Sequence, residues 1–205
     1  LVNMELSRVD GSMGTILAVQ GGLARRTLAM FGSQAQQDRY IRPVARMEIP
    51  AAFALTEPDH GSDSAGLSTT ATRQPDGSYV IRGSKRWIGN GAAGGITLTF
   101  ARVHDEGAED HGKVRGFLVP QDSLGYTGTP IRHKGSLRAI DQADIFYDDV
   151  YVAADALLPG VKSFRNVSEV LYSTRTGVAW SALGHATAVF ESALSYATQR
   201  QQFGK

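Results

Sequence analysis

Two short segments hold the residues best suited to chemistry. The first runs Phe53-Ala54-Leu55-Thr56-Glu57-Pro58-Asp59-His60-Gly61-Ser62-Asp63. A strand-like run ends there in a polar loop, which offers backbone N–H groups and the Thr56 and Ser62 hydroxyls to one ligand. Gly61 permits close backbone approach. The same residue types also build an ordinary surface turn, in which Asp and Ser bond their own backbone. The second segment runs Lys85-Arg86-Trp87-Ile88-Gly89-Asn90-Gly91. A Trp at a strand end either lies against a flat ring system or fills a core with its indole N–H satisfied. Neither segment decides between its two uses alone.

The elements that must position these segments follow from periodicity. Residues 1–50 read as helical. Ser33 and Gln36 have capping-box spacing, Gly21-Gly22 marks a break, and Pro43 is expected to end the next helix or bend the chain. From about 51 to 160 the period is closer to two. Ser78–Arg82 follows the turn signal Pro75-Asp76-Gly77, and Ile96–Phe100, Val114–Val119 and Ala143–Val152 are further strand candidates. From 161 to 205 the spacing of Val167, Val170, Leu171, Val178, Leu183, Phe190 and Leu194 returns to helical. It predicts one long helix, loosened at Gly177 and Gly184. The expected class is α+β and multidomain: a partial helical N-terminal domain (1–50), a central antiparallel, barrel-like β-domain (51–160), and the start of a C-terminal helical bundle (161–205).

Composition narrows the function classes. Formal net charge is +1, from 21 basic and 20 acidic residues, so no nucleic-acid or membrane-surface partner is expected. With no cysteine there is no disulfide framework and no thiolate chemistry. No apolar run approaches the roughly 18 residues of a membrane span. The N-terminus lacks a signal peptide's basic start and apolar core. The expected setting is cytoplasmic, with organelle targeting left open. The first residue is not Met and Arg200–Lys205 close no element, so a chain cut from a longer one is expected.

Three literal signals are declined. Gly89-x-Gly91-x-x-Gly94 matches a dinucleotide fingerprint, but an alternating strand follows where a helix is needed. His104, Asp105, Glu106, Glu109, Asp110 and His111 read as a solvated hairpin loop, and no metal site is expected. His133, Ser181 and His185 lack partners for nucleophilic catalysis.

The run Leu-Thr-Glu-Pro-x-x-Gly-Ser-Asp from Leu55 to Asp63 resembles the flavin-site signature of the acyl-CoA dehydrogenase and oxidase superfamily. Trp87-Ile88 followed by Asn90 resembles that family's second flavin segment. Arg200-Gln201-Gln202-Phe203-Gly204 resembles its helix-borne segment that reaches the FAD of a neighbouring subunit. The resemblance spans essentially all 205 residues. It implies a flavoprotein oxidoreductase of fatty acid β-oxidation and lipid metabolism, a homodimer or homotetramer, that binds FAD and acyl-CoA. By the same resemblance Phe53, Leu55 and Thr56 line the flavin ring. Thr56 donors face the side where hydride arrival puts negative charge. Gly61 and Ser62 lie where flavin and pantetheine meet, and Trp87, Ile88 and Gly89 flank the ring. Arg200, Gln202 and Phe203 contact FAD across a subunit interface. Ser62, Tyr172 and Arg175 contact the CoA substrate, the last two sharing a helix face.

Departures from the family pattern shape the rest. Gly89 stands where most family dehydrogenases carry a Thr hydroxyl near flavin N5, and Trp-Ile-Gly-Asn is similar to plant short-chain acyl-CoA oxidases. The resemblance therefore implies α,β-dehydrogenation of a short- or medium-chain acyl-CoA to trans-2-enoyl-CoA with an electron-transfer flavoprotein as acceptor, or an oxidase that uses oxygen and releases peroxide. A non-catalytic binding fragment is the alternative of another class. The β segment also resembles glutaryl-CoA dehydrogenase. The positions corresponding to that enzyme's distal-carboxylate site, Ser7, Gly14 and Ala18, hold no cation, which implies a monocarboxylic substrate. No catalytic residue is assigned within the chain. Glu57 matches the flavin loop, where it is expected to cap the turn or pair with a basic residue.

Overall fold

Helices come first along the chain, and α2 and α4 are each begun by a side chain that satisfies a free amide. In the computed structural model, which describes residues 1–204, Asp10 separates α1 (Val2–Val9) from α2 (Gly11–Leu17) and accepts the Ser12 amide at 2.7 Å. The predicted break at Gly21-Gly22 is instead a continuation: residues 18–25 form a π-helical stretch leading directly into α3 (Arg26–Phe31). Helical dihedrals persist through Leu17 and Arg26, so the turn widens without breaking. The wider turn carries Gln20, whose buried amide bonds the Val44 and Ile49 carbonyls and the Ala51 amide.

The capping box forms as spaced. Gln36 N donates to Ser33 Oγ at 3.2 Å and Ser33 N donates to Gln36 Oε1 at 2.8 Å, opening α4 (Gln34–Ala45). Pro43 does not end α4; the helix continues two residues further, to Ala45. In the last turn a missing N–H costs a single bond, and the Pro43 carbonyl goes on to accept the Glu48 amide.

The central domain is one seven-stranded sheet. Its strands are β1 (Ala51–Ala54), β2 (Thr70–Arg73), β3 (Tyr79–Gly89), β4 (Ile96–His104), β5 (Val114–Pro120), β6 (Tyr126–Pro130) and β7 (Gln142–Val152). The expectation of an antiparallel barrel needs two corrections. First, the sheet is mixed: β1 pairs parallel with the first half of β4, and β2 pairs parallel with its second half. Both strands run the same way along β4 because an excursion (55–69), not a hairpin, joins them. Second, the sheet does not close. It curls, and the curl is bridged by side chains: the Thr97 hydroxyl lies 3.0 Å from the Tyr126 hydroxyl, and that of Thr99 lies 2.7 Å from the Tyr147 hydroxyl.

This curl buries both faces of β4. Ile96, Leu98 and Phe100 pack against the helical layer with Leu28, Phe53 and Val170. On the other face Ala101 joins Phe117, Ile145 and Tyr147 inside the curl. The β2–β3 turn falls at Pro75-Asp76-Gly77 as predicted, with Gly77 at φ +86°. β2 and β6 were not predicted; they are four and five residues long and only half-buried, too short for a clear alternation.

The final helix, α5 (Phe164–Gln199), is unbroken across its 36 residues. Neither Gly177 nor Gly184 loosens it. Gly184 serves close packing instead, where α1 crosses: a Cβ there would strike the Met4 carbonyl, and one side of this crossing is tied by Asn3 Nδ2, which donates to the Gly177 carbonyl at 2.7 Å. No helix among the described residues is long and apolar enough to cross a membrane.

Candidate functional site

The two chemistry-bearing segments meet at the end of β1. From there residues 55–69 leave the sheet and return to it at β2. Both ends of this loop are tied to one carboxylate. Glu57 accepts bonds from Ser68 N and Oγ, each at 2.7 Å, and from Thr69 N and Oγ1 at 3.0 and 2.6 Å. Lys85 Nζ donates to it at 2.8 Å. The basic partner expected for Glu57 is therefore Lys85, and both side chains are buried. Burial pushes the Glu57 carboxyl up, but the Lys85 charge and these hydrogen bonds outweigh it and hold it at about 2. Burial lowers the Lys85 ammonium to about 8 against the opposing pull of Glu57.

Lys85 also donates to the Leu55 carbonyl at 3.2 Å, and Arg86 N donates to the Thr56 carbonyl at 2.8 Å. Both carbonyls flanking the Thr56 amide group are thereby occupied. The Thr56 N–H and hydroxyl themselves make no hydrogen bond among the described residues. Beyond them the loop projects outward: Gly61 and Ser62 are exposed, and nothing lies within 4 Å of a Cβ built on Gly61. The side chains of Phe53 and Leu55 point the other way, into the helix-facing core, where the Phe53 and Phe100 rings lie 4.8 Å apart.

The second segment is shaped by a bulge in β3. Register with β7 holds at Lys85↔Ile145 and resumes at Ile88↔Ala143. Trp87 takes φ +63°, an uncommon conformation for a bulky residue. The bulge throws its indole outward, 52% exposed, with the Arg86 guanidinium 4.7 Å from the ring centroid. Such departures concentrate at functional sites. Ile88 turns inward into the curl. Gly89 is walled in, since a Cβ there would sit 3.0 Å from Ile140 Cδ1 and 3.1 Å from Val19 Cγ2. Asn90, at φ +62°, donates to Gln20 Oε1 and to the Ala51 carbonyl. Gln20 thus ties the π-helical turn, the start of β1 and the end of β3 into one network. The sequence assigned no role to Gln20 or Lys85. A lone Gln in a helix carries no signal, and a Lys in a strand reads as solvated.

The remaining predicted residues lie on α5. Tyr172 and Arg175 are exposed one turn apart, and Arg175 makes no ion pair among the described residues. Arg200, Gln202 and Phe203 follow the helix end, about 50 Å of helix from its start on the sheet. Phe203 is 99% exposed. The structure does not bring these three to the loop within one chain. Of the positions compared with a distal-carboxylate site, Ser7 is buried with its hydroxyl 3.1 Å from that of Ser181, and Gly14 abuts the Ser7 hydroxyl.

The β4–β5 hairpin carries the His and acidic cluster, and its Asp110 pairs with Arg73 and Arg115. A cavity of about 390 Å³ lies between α4 and the sheet, near Tyr40, Leu118 and Tyr151, and contains neither segment. A smaller cleft of about 180 Å³ lies beside the loop, between Pro58, Arg86, Thr127 and Asp144.

Three models of known families match the chain: "Acyl-CoA dehydrogenase, N-terminal domain" over residues 1–48, "Acyl-CoA dehydrogenase, middle domain" over 52–150, and "Acyl-CoA dehydrogenase, C-terminal domain" over 164–205. The short-chain specific acyl-CoA dehydrogenase of Megasphaera elsdenii is 33% identical over 202 residues, covering 98% of this chain and 52% of that protein. The crystal structure of a glutaryl-CoA dehydrogenase from Mycobacterium smegmatis in complex with FADH2 superposes with a TM-score of 0.92 at 32% identity, covering 99% of this chain and 50% of that one. Butyryl-CoA dehydrogenase from Megasphaera elsdenii gives a TM-score of 0.90 at 32% identity, covering 99% of this chain and 53% of that one. The chain spans about half the length of the curated relatives it matches.

Proposed function

Since this chain belongs to the acyl-CoA dehydrogenase family, we propose that the protein carries out FAD-dependent α,β-dehydrogenation of an acyl-CoA to the trans-2-enoyl-CoA. The reading rests most on one arrangement. An amide and a hydroxyl of the same residue, Thr56, stand without partners among the described residues, beside an indole that a strained bulge pushes outward. Orphaned donors next to an exposed flat ring fit the edge and face of an isoalloxazine. FAD would supply the hydride acceptor at this place. The Thr56 N–H and hydroxyl would steady the charge that accumulates on reduction. Trp87 would shield one side of the ring, and Gly61 and Ser62, on the open part of the loop, would meet FAD and the pantetheine chain.

For the substrate we favour a short- or medium-chain monocarboxylic acyl-CoA. Ser7, Gly14 and Ala18 offer no cation for a second carboxylate, and an unpaired buried carboxylate would be costly. Tyr172 and Arg175 would take the CoA side, since Arg175 is exposed and without an ion pair among the described residues. Arg200, Gln202 and Phe203 would serve FAD of a second subunit in a homo-oligomer. No residue of this chain is assigned the removal of the α-proton. An electron-transfer flavoprotein is the proposed acceptor.

An acyl-CoA oxidase is the second reading, motivated by Gly89 in place of a hydroxyl-bearing residue. Ile140 and Val19 occupy the space that a side chain at position 89 would take. The test uses the full-length protein. Its visible flavin spectrum is followed as butyryl-CoA is added without oxygen, and air is then admitted. Bleaching that persists in air supports the dehydrogenase, and rapid recovery with peroxide release supports the oxidase. A yellow protein that never bleaches removes this substrate class, and one that takes up no FAD removes the proposal.

A further inference from the structure

The Glu57–Lys85 pair sits where the two segments of the proposed flavin site cross. Its side chains are 2% and 0% exposed, and Nζ lies 2.8 Å from Oε1. Taking two charges out of water is expensive, and an apolar pair of similar volume often gives equal or greater stability. The pair therefore calls for a role besides stability.

Its other contacts indicate that role. A trans peptide directs its C=O and N–H to opposite sides, and no cis bond occurs among the described residues. Lys85 holds the Leu55 carbonyl inward at 3.2 Å, so the Thr56 N–H must point outward. Arg86 N fixes the next carbonyl, that of Thr56, at 2.8 Å. On its own strand Lys85 is the last residue in register before the bulge that exposes Trp87. Glu57 in turn gathers Ser68 and Thr69, closing the loop's return. One buried cation thus anchors the direction of an amide on the loop and the start of a bulge on β3.

We propose that Lys85, held by Glu57, is a positioning residue that aims the Thr56 amide and the Trp87 bulge at the flavin, and thereby sets how tightly FAD is held. This rests on the flavoprotein reading above. Lys85 does not itself touch the cofactor in this account; it acts through Leu55, Thr56 and Trp87.

The test measures the FAD dissociation constant and the thermal midpoint of the apoprotein for the full-length chain and two variants. Lys85→Met removes the cation and leaves Glu57 buried without its partner. Glu57→Gln combined with Lys85→Met restores a neutral, similarly shaped pair but still leaves the Leu55 carbonyl without its donor. The expected result is FAD binding weakened roughly ten-fold or more in both variants, the size of one lost charged hydrogen bond, while the double variant regains the thermal midpoint. If Lys85→Met does not fold, the double variant decides alone. FAD binding at the unaltered level in the double variant, or affinity that recovers together with the midpoint, overturns the proposal and makes the pair purely structural. An unaltered chain that takes up no FAD overturns the flavoprotein reading and this proposal with it.

Discussion

Gly184 of α5 lies directly against the Met4 carbonyl of α1, so that any Cβ there would collide with it and come within 3.0 Å of Arg8 N. The close approach lets Asn3 reach the Gly177 carbonyl and Ser7 reach Ser181, while Arg8 pairs with Glu191 at the helix end. A helix otherwise left with an exposed apolar face is docked on the N-terminal layer through this seam. Gly184→Ala should separate the two backbones and cost about 1–3 kcal/mol, the usual range for overpacking. Equilibrium urea unfolding of the full-length protein would measure it, with Gly177→Ala as the milder control, since a Cβ there meets only Asn3 Nδ2 at 3.8 Å.

The buried ion pair makes stability depend on pH in two windows. Glu57 keeps its charge in the folded protein down to about 2, against 4.5 ordinarily. Its contribution is thus complete above pH 4.5 and lost as pH falls towards 2. Lys85 releases its proton at about 8 when folded, against 10.5 ordinarily. Between those values the unfolded chain binds more protons, so stability rises with pH there. Denaturation midpoints across pH should lose the acid limb in Glu57→Gln and the alkaline limb in Lys85→Met. Profiles identical to the unaltered protein would show that the pair does not titrate this way.

Gly89 has no room for a side chain, but its nearest neighbours are side-chain ends, Ile140 Cδ1 and the Val19 methyls. Gly89→Ala should therefore destabilise by about 1–2 kcal/mol through overpacking. Shortening the neighbour with Ile140→Val should return most of that loss. A thermal-melt comparison of the single and double variants checks the coupling. Additive, uncoupled effects would mean that the space at Gly89 is not set by Ile140.

Thr56→Val keeps the amide and removes the hydroxyl with little change in volume. If Thr56 donates to flavin, this variant should bind FAD roughly ten-fold more weakly, the order of one lost hydrogen bond, with slower reduction by acyl-CoA. Its fold should be untouched, because the hydroxyl bonds nothing among the described residues. Flavin titration and anaerobic reduction rates are the measurements. Unchanged values would count against this place for the flavin.

The sequence by itself determined the order of helical, β and helical segments. Periodicity is a local property: the alternation of Ile96–Phe100, the turn at Pro75-Asp76-Gly77 and the Ser33 cap each depend on residues a few positions apart, and all appear as read. It also marked both candidate segments, because their unusual residue types are contiguous. What it could not supply was pairing. Whether β1 and β2 run parallel or antiparallel to β4 depends on where the 55–69 excursion returns, and only the fold fixes that. The sheet's failure to close was equally hidden, since side-chain hydroxyls rather than a ladder span the gap. Gly177 and Gly184 looked like loose points in α5, yet the helix runs through both, and at Gly184 the crossing of α1 needs the missing side chain. Nothing next to Lys85 in the chain pointed to its burial, and its ion pair arises only because the fold brings Glu57 to it from 28 positions away. Local order is set by neighbours in the chain, and the chemistry of a buried charge is set by neighbours in space.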